Sequence, residues 1–461
     1  VTPRLHRSEN QKPAPVRIVH VGLGNFVRAH LAWYTQHAPD AQEWGIAAFT
    51  GRRPQAAQDL APQDGLYTLI TRDVHGDQFE TISTLSAVHP ASDHEQFLNY
   101  LRDPQVAIIS LTVTEAGYRR TANGHLDVAD ADVRSDISTL RTNPTAPVIT
   151  TPAKLLAGLL ERHRTGAGSI TVLPCDNLPQ NGQATQKVVQ DLAAAIEIDK
   201  LAPGFSSWLA QDVAFATTMV DRITPSISDA DQQAVTEARD VIDAAPVVTE
   251  PFSEWVLSGQ FPAGRPRWEA TGVQVVSDVG PYEQRKLLLL NGAHSLMAYA
   301  ATALGHETVF DAISDSQVRG WVEALWDDAT ACLDLPLTEI LDYRKALLGR
   351  FENPRMRDVL ARIAADGSQK IPVRIVPVTL KARSEGAMPT GAVAALAGWI
   401  AHLRGHGAAI NDPAGAQWQE LASGSAQEAV RAVLSELMPK LAEDTQLRDA
   451  VQNQLLDLTG A

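Results

Sequence analysis

The chain has 461 residues, too many for one ordinary hydrophobic core, so two or three domains are expected. Its make-up, 44% hydrophobic and 20% charged, is that of a globular protein, and a formal net charge of −15 argues against nucleic acid or an anionic membrane surface as partner. The two cysteines, Cys175 and Cys332, supply neither a disulfide framework nor a cysteine-rich zinc site, and no apolar run reaches ~18 residues unbroken, so a reduced, cytoplasmic setting without a transmembrane helix is expected.

Residues 1–15 are polar and proline-rich, without an apolar targeting core, and read as a loose arm. Residues 16–22 (VRIVHVG) form a β-branched run that ends in glycine; Gly24 and an apolar-to-basic helical segment, 25–33, follow. Strand, Gly-x-Gly turn and helix make the entry to a dinucleotide fold, because the glycines permit a tight turn and let the backbone approach a pyrophosphate at the helix N-terminus. The third glycine of the GxGxxG fingerprint is replaced by Val27, so the motif alone is equally that of a plain strand–helix turn. A second strand is predicted at 44–50 (WGIAAFT), where an acid past its end would hold the adenosine ribose. The chain reads Thr50-Gly51-Arg52-Arg53 there instead, which leaves open a 2′-phosphate partner or two solvated loop charges.

The alternation over 66–71 and 79–88 predicts antiparallel strands inserted after the second strand. Residues 106–112 (VAIISLT) and 169–173 (SITVL) are near-continuous apolar runs, the pattern of parallel strands covered on both faces. Each runs into polar residues, Thr114-Glu115 and Asp176-Asn177, at the strand end where a doubly wound sheet binds its ligand. Between them, 121–150 reads as a surface excursion and 152–164 as a helix; a further helix is predicted at 183–198. Short strands are expected at 215–220, near 241 and 247–248, around Trp255, Phe261 and Trp268, and at 273–276. From Pro281 onward helices dominate, at 311–333, 337–351, 356–366, 393–404, 416–421 and 427–458.

The segment 281–302 (PYEQRKLLLLNGAHSLMAYAAT) predicts about six helical turns, apolar almost all round and therefore buried. With Lys286 at zero on an α-helical wheel, Glu283 falls near ~60°, His294 near ~80° and Asn291 near ~140°, within less than half of the circumference. A buried lysine gives up its proton readily, as a general base must; equally, Lys286 at a helix start reaches water and His294 is a satisfied core histidine. Scattered histidines and isolated cysteines exclude a close-spaced zinc site. Tyr282 and Lys286 have Tyr-x-x-x-Lys spacing, but no TGxxxGxG turn accompanies them. A third arrangement fits better. Oxidising a secondary alcohol requires a base for the hydroxyl proton and donors for the developing alkoxide, which Lys286 and the amides of Asn177 and Asn291 supply. His294 adds a bond to another hydroxyl, and Glu283 a relay to water.

Side by side, several segments resemble the mannitol dehydrogenase family of polyol-specific long-chain dehydrogenases and hexuronate reductases. They are Gly22-Leu23-Gly24-Asn25-Phe26-Val27-Arg28-Ala29-His30, Gln63-Asp64-Gly65-Leu66-Tyr67, Thr112-Val113-Thr114-Glu115-Ala116-Gly117-Tyr118, Cys175-Asp176-Asn177-Leu178-Pro179, Val220-Asp221-Arg222-Ile223-Thr224-Pro225, Lys286-x4-Asn291-x2-His294 and Gly367-Ser368-Gln369-Lys370-Ile371-Pro372-x-Arg374. The resemblance implies an α/β Rossmann-type dinucleotide-binding domain with insertions over 1–280, a mainly α-helical substrate domain over 281–461, and a site in the cleft between them. It implies zinc-independent, NAD(P)-dependent interconversion of a polyol and a ketose, D-mannitol and D-fructose first, with a hexuronate and its reduced acid as the alternative. Lys286 corresponds to the catalytic base, Asn177 and Asn291 to the oxyanion donors, His294 to a substrate ligand and Glu283 to the proton path. Asp221 and Arg374 match substrate-holding positions, and Arg374 and Lys381 are candidate partners for a uronate carboxylate. Gly22, Gly24, Asn25, Phe26, Arg28, Thr50, Arg52, Thr114 and Glu115 are the implied cofactor contacts. NAD is expected, with NADP left open by Arg52 and Arg53, and the implied partner is a small molecule bound by a monomer or weak oligomer. A silent nucleotide- or sugar-binding protein is the competing reading, but it has no need of a base and two oxyanion donors together.

Overall fold

In the computed structural model, which describes residues 2–460, the chain forms two compact units that divide between Val279 and Gly280. The first unit carries twelve strands: β1 (Val16–Val21), β2 (Gly45–Phe49), β3 (Tyr67–Asp73), β4 (Gly76–Ile82), β5 (Leu85–His89), β6 (Ile108–Leu111), β7 (Ile170–Pro174), β8 (Val213–Phe215), β9 (Thr217–Asp221), β10 (Val247–Thr249), β11 (Glu254–Ser258) and β12 (Gln274–Val275). Six of them form one sheet in the order β5-β2-β1-β6-β7-β8, parallel throughout. Every residue of β2, β6 and β7 is buried, which is why these stretches read as unbroken apolar runs. Strand order reverses between β1 and β6, the switch point at which such sheets bind ligands beyond their carboxyl ends.

Two small sheets flank this one in sequence. In one, β3 pairs antiparallel with β4 and parallel with β10; in the other, β11 pairs antiparallel with β9 and parallel with β12. The predicted strand over 79–88 is thus two strands. Its first half closes the β3–β4 hairpin, and its second half, β5, is an edge of the main sheet beside β2. The helix predicted over 25–33 breaks at His30 (φ −121°, ψ −91°) into Asn25–Ala29 and Leu31–His37. The excursion over 121–150 contains a helix, Ala131–Thr142, capped by the Asp130 carboxylate. The N-terminal arm is pinned rather than loose: Arg7 donates to the carbonyls of Ser83 (2.6 Å) and Leu85 (3.0 Å).

The second unit is built of helices. At its centre lies Thr390–Leu403, buried along nearly its whole length. Its glycines let other backbones come close: a Cβ on Gly391 would meet Leu325 N at 2.4 Å, and one on Gly398 would meet Ala300 N at 2.5 Å. The helix predicted over 311–333 is two, Val309–Ser314 and Ser316–Thr330, because the Asp315 carboxylate caps the second. That over 427–458 is three, interrupted at Met438-Pro439 and at Asp444. Only Leu360–Ile363 is α-helical within 356–366, whereas Gly367–Arg374 and Val376–Ser384 are helices that propensity did not show. Among the described residues, no helix is long and apolar enough to cross a membrane.

Candidate active site

The glycine turn after β1 is built by its neighbours. Gly22 has φ +107°, and a Cβ there would lie 2.1 Å from the Thr112 carbonyl oxygen, so only glycine fits against the end of β6. The Thr112 hydroxyl donates to the Gly22 carbonyl (2.8 Å) and accepts from His20 Nε2 (3.1 Å), which leaves His20 Nδ1 to accept from Ser110 (2.8 Å). Burial pushes the His20 imidazole down to about 4, so it is neutral at pH 7. Gly24 differs: a Cβ there would meet only the Gly22 carbonyl, at 3.7 Å. The chain itself leaves that position open, which is what a glycine needed for a ligand rather than for the fold looks like. The turn therefore fits a dinucleotide pyrophosphate.

Two of the implied cofactor residues make bonds within the chain. Arg28 is buried and donates to the carbonyls of Gly24 (3.1 Å) and Ala245 (2.6 Å) and to Asn25 Oδ1 (2.7 Å), bracing the turn from beneath. Thr50 is buried at the end of β2, where its hydroxyl accepts from the Ala91 amide (2.9 Å). Arg52 and Arg53, by contrast, are exposed, with no hydrogen bond or ion pair among the described residues. Phe26 is half-buried and stacks on His30, ring centroids 4.9 Å apart, while Thr114 and Glu115 are exposed beyond β6. Asn177 is exposed beyond β7, and Asp221 is buried at the end of β9.

The remaining motif residues in this unit serve the backbone. Gln63 donates to the Leu66 carbonyl (3.0 Å) and to Asp243 (2.9 Å), and Tyr67 donates to the Arg28 carbonyl (2.6 Å). Arg222 donates to the carbonyls of Ala29 and Glu250 and lies 4.7 Å from the Trp33 ring centre.

In the second unit the predicted helix runs unbroken from Gly280, but not as a plain α-helix. Lys286–Asn291 and Met297–Ala301 are π-helical, separated by the α-helical Gly292–Leu296. A turn closed by i→i+5 bonds takes more residues per revolution than an α-turn. Asn291, five residues after Lys286, therefore swings back towards the lysine face instead of standing ~140° away as on the α-helical wheel. Side chains from outside the helix bond the carbonyls of this widened segment. Trp326 Nε1 donates to Leu289 (2.9 Å), and Arg374 Nη1 donates to Asn291 (3.3 Å) and to the Ser295 hydroxyl (3.2 Å).

Glu283, Lys286, Asn291 and His294 are all half-buried rather than fully enclosed. His294 lies against Phe351, centroids 5.2 Å apart, and Arg285 stacks over Tyr343 at 4.1 Å. The structure thus gathers Glu283, Lys286, Asn291, His294 and Arg374 around one helix. The Lys381 ammonium pairs with Glu385 (2.6 Å), just past the end of its own helix. Burial lowers the Arg374 guanidinium to about 10, and its Nε has no hydrogen-bond partner. Sequence reasoning missed Ser295 and Trp326, whose apolar surroundings gave no signal, and it left Tyr118 and Asp176 without roles inside motifs it had singled out. Among the described residues, no group of three or more His, Cys, Asp or Glu side chains is placed to hold a metal ion.

Comparison with known proteins agrees with this layout. The mannitol dehydrogenase Rossmann-domain profile matches residues 16–270, and the mannitol dehydrogenase C-terminal-domain profile matches residues 278–459. The D-mannonate oxidoreductase of Escherichia coli K12 is 35% identical over 421 residues, covering 88% of this chain and 84% of its own. A mannitol 2-dehydrogenase of Aspergillus fumigatus (strain CBS 144.89) is 36% identical over 402 residues, covering 84% of this chain and 78% of its own. The solved mannitol 2-dehydrogenase of Pseudomonas fluorescens, a ternary complex with NAD and D-mannitol, superposes with a TM-score of 0.78 at 31% identity, covering 99% of this chain and 94% of that one.

Proposed function

Because the chain belongs to the mannitol dehydrogenase family and is an oxidoreductase of the polyol and hexuronate dehydrogenase type, we propose that it interconverts D-mannitol and D-fructose with NAD. The observation that carries this reading is the π-helical Lys286–Asn291 segment, which puts a lysine and an amide at the two ends of one widened turn, with His294 following. Such segments recur at functional sites because they turn side chains to faces an α-helix does not offer.

On this reading the nicotinamide cofactor, when bound, takes up or delivers the hydride. Gly22, Gly24, Asn25 and Phe26 hold its pyrophosphate end, and Arg52, Thr114 and Glu115 flank the rest. Lys286 takes the hydroxyl proton during oxidation and returns it during reduction. Asn177 and Asn291 donate hydrogen bonds to the oxygen as charge develops on it. Glu283 passes the proton between Lys286 and water, while His294, Asp221 and Arg374 hold neighbouring hydroxyls.

A hexuronate substrate is the second reading, and Arg374 favours it: a desolvated guanidinium with an unpartnered Nε suits a carboxylate better than a hydroxyl. The test is loss of reduced-nicotinamide absorbance with purified protein, offering fructose and fructuronate in parallel. Turnover of fructose upholds the first reading, and turnover of fructuronate alone moves the enzyme to the second. NADH binding without turnover of either would leave a binding protein.

A further inference from the structure

The loops that follow β6 and β7 are tied together beneath their exposed tips. Tyr118, which ends the 3-10 turn Glu115–Tyr118, donates its hydroxyl to Oδ2 of Asp176, and both residues are buried. The Thr185 hydroxyl lies 3.3 Å from the same tyrosine oxygen and donates to the Asn181 carbonyl at 2.7 Å. Asn181 Nδ2 returns to the Asp176 carbonyl (3.2 Å) and to Thr218, and the Thr218 amide donates to Asn181 Oδ1 (3.0 Å). The Thr218 hydroxyl closes the circuit on the Pro174 carbonyl (2.7 Å).

Asn177 is the exposed residue in this structure, set between buried Asp176 and buried Leu178. The tip that presents it therefore moves only if the buried residues on either side of it move. Of the side-chain bonds that fix those residues, the one from Tyr118 reaches across to the loop carrying Thr114 and Glu115, and the Val113 amide of that loop also faces the Asp176 carboxyl.

We propose that the Tyr118–Asp176 pair is the positioning device for Asn177, locking the loop that offers the amide donor to the loop that flanks the cofactor. The proposal rests on the reading of Asn177 as an oxyanion donor. Tyr118 and Asp176 are positioning residues, since neither reaches the surface from which substrate would be touched.

Charge gives the pair a signature. Burial pushes the Asp176 carboxyl up to about 7, against the Tyr118 hydroxyl and the electrostatic pull of nearby amides, including those of Leu178 and Val113; its Oδ1 has no hydrogen-bond partner. Of titratable groups, the Tyr118 phenol acts on it; Asp176 in turn, after burial, raises the Tyr118 phenol and the Cys175 thiol well above their ordinary values, and no ion pair reaches it among the described residues. Ionised, Asp176 accepts strongly from Tyr118; protonated below about pH 7, it accepts weakly and the lock slackens. In ketose reduction Lys286 must carry its proton, so its titration lowers the rate only as pH rises. A decline towards low pH that is lost when Asp176 alone is changed therefore reports Asp176 rather than Glu283, His294 or Asp221.

The experiment compares wild type, Tyr118→Phe and Asp176→Asn in ketose reduction from pH 5.5 to 9, together with hydrogen exchange over residues 175–180 without substrate. Tyr118→Phe removes one hydroxyl; it should lower kcat by roughly 10- to 100-fold, part of the loss expected for removing an oxyanion donor, while KM for NADH stays within about twofold. Asp176→Asn keeps an acceptor for Tyr118 but cannot titrate; it should retain kcat within about threefold at pH 7 and lose the low-pH decline. Exchange over 175–180 should rise at least about tenfold in Tyr118→Phe. Unchanged kcat in Tyr118→Phe, or a low-pH decline that survives in Asp176→Asn, overturns the proposal. If wild type turns over neither ketose, the functional reading fails separately, and the exchange result alone decides: protection unchanged in Tyr118→Phe overturns the lock.

Discussion

The two glycines of the β1 turn separate what the fold needs from what a ligand needs. Gly22→Ala places a methyl 2.1 Å from the Thr112 carbonyl oxygen and asks an L-residue to hold φ +107°. The backbone strain costs about 1–3 kcal/mol. Relieving the overlap means displacing the end of β6 and lengthening the Thr112–Gly22 hydrogen bond, about 1–3 kcal/mol more. A total of ~2–6 kcal/mol lowers the unfolding midpoint of a unit this size by roughly 4–24 °C. Gly24→Ala meets only one oxygen, at 3.7 Å, on extended backbone (φ −133°), so its midpoint should stay within about 2 °C of wild type. Its effect should instead be on NADH, whose pyrophosphate loses the close approach, with Kd raised at least about tenfold. Thermal unfolding and NADH fluorescence titration on both variants make the assay. A Gly22→Ala variant as stable as wild type refutes the steric reasoning, and a Gly24→Ala variant that binds NADH normally refutes the placement of the cofactor at this turn.

Lys286→Ala should lower kcat by at least ~10²-fold with the cofactor Kd unchanged, as expected for a lost general base; wild-type turnover would remove lysine from the mechanism. Arg52→Ala with Arg53→Ala should reduce kcat/KM for NADP by at least about tenfold while leaving NAD within about twofold, because only NADP offers these exposed guanidiniums a 2′-phosphate; equal losses for both cofactors would deny them that role. His20 is held near 4 in the fold against 6.5 when free, so the unfolded chain takes up its proton first and stability falls as pH drops from 6.5 towards about 4. Urea midpoints of His20→Gln should lack that part of the slope, and an unaltered slope would assign it elsewhere. Arg374→Gln keeps hydrogen-bond donors but loses the charge, so it should cut kcat/KM for fructuronate roughly 10- to 100-fold more than for fructose, the worth of a charge-assisted bond; a parallel loss on both ketoses would leave Arg374 with hydroxyls only.

Features with local causes were legible in the sequence. The β-branched run before Gly22, the buried strands β6 and β7, and the helix over 337–351 all follow from periodicity and from glycine or polar punctuation. What failed was decided at long range. Nothing between Phe79 and Val88 announces that the chain changes sheets at Ser83; the Ser83 amide donates to Gln36 Oε1 (2.6 Å), a residue 47 positions away. The break at His30 has no breaker residue and coincides with bonds from Tyr67 to the Arg28 carbonyl and from Arg222 to the Ala29 carbonyl. Helix Gly367–Arg374 contains Pro372, which argues against a helix, yet the Asp412 carboxylate takes both the amide and the hydroxyl of Ser368 at its start. The π-helical turns were hidden because an apolar run fits an α- or a π-turn equally well, and the bonds from Trp326 and Arg374 come from other helices.

Motif membership alone did not separate residues of the site from residues of the fold; hydrogen-bonding capacity does. Arg28 and Arg222 lie in segments that carry the family resemblance, and both give their donors to backbone carbonyls. A guanidinium so used has fewer of its five N–H donors left for a ligand. Arg52, exposed beyond β2, and Arg374, with its unpartnered Nε, retain that capacity. The same reasoning distinguishes Gly22, which a neighbouring carbonyl requires, from Gly24, which nothing in the chain requires. It also explains why adjacent residues of one motif divide the labour: Asp176 is turned inward to Tyr118 so that Asn177 is turned outward. In a dehydrogenase that must hold donors where charge will develop, rigidity beneath the donor matters as much as the donor itself. The buried half of the motif supplies that rigidity.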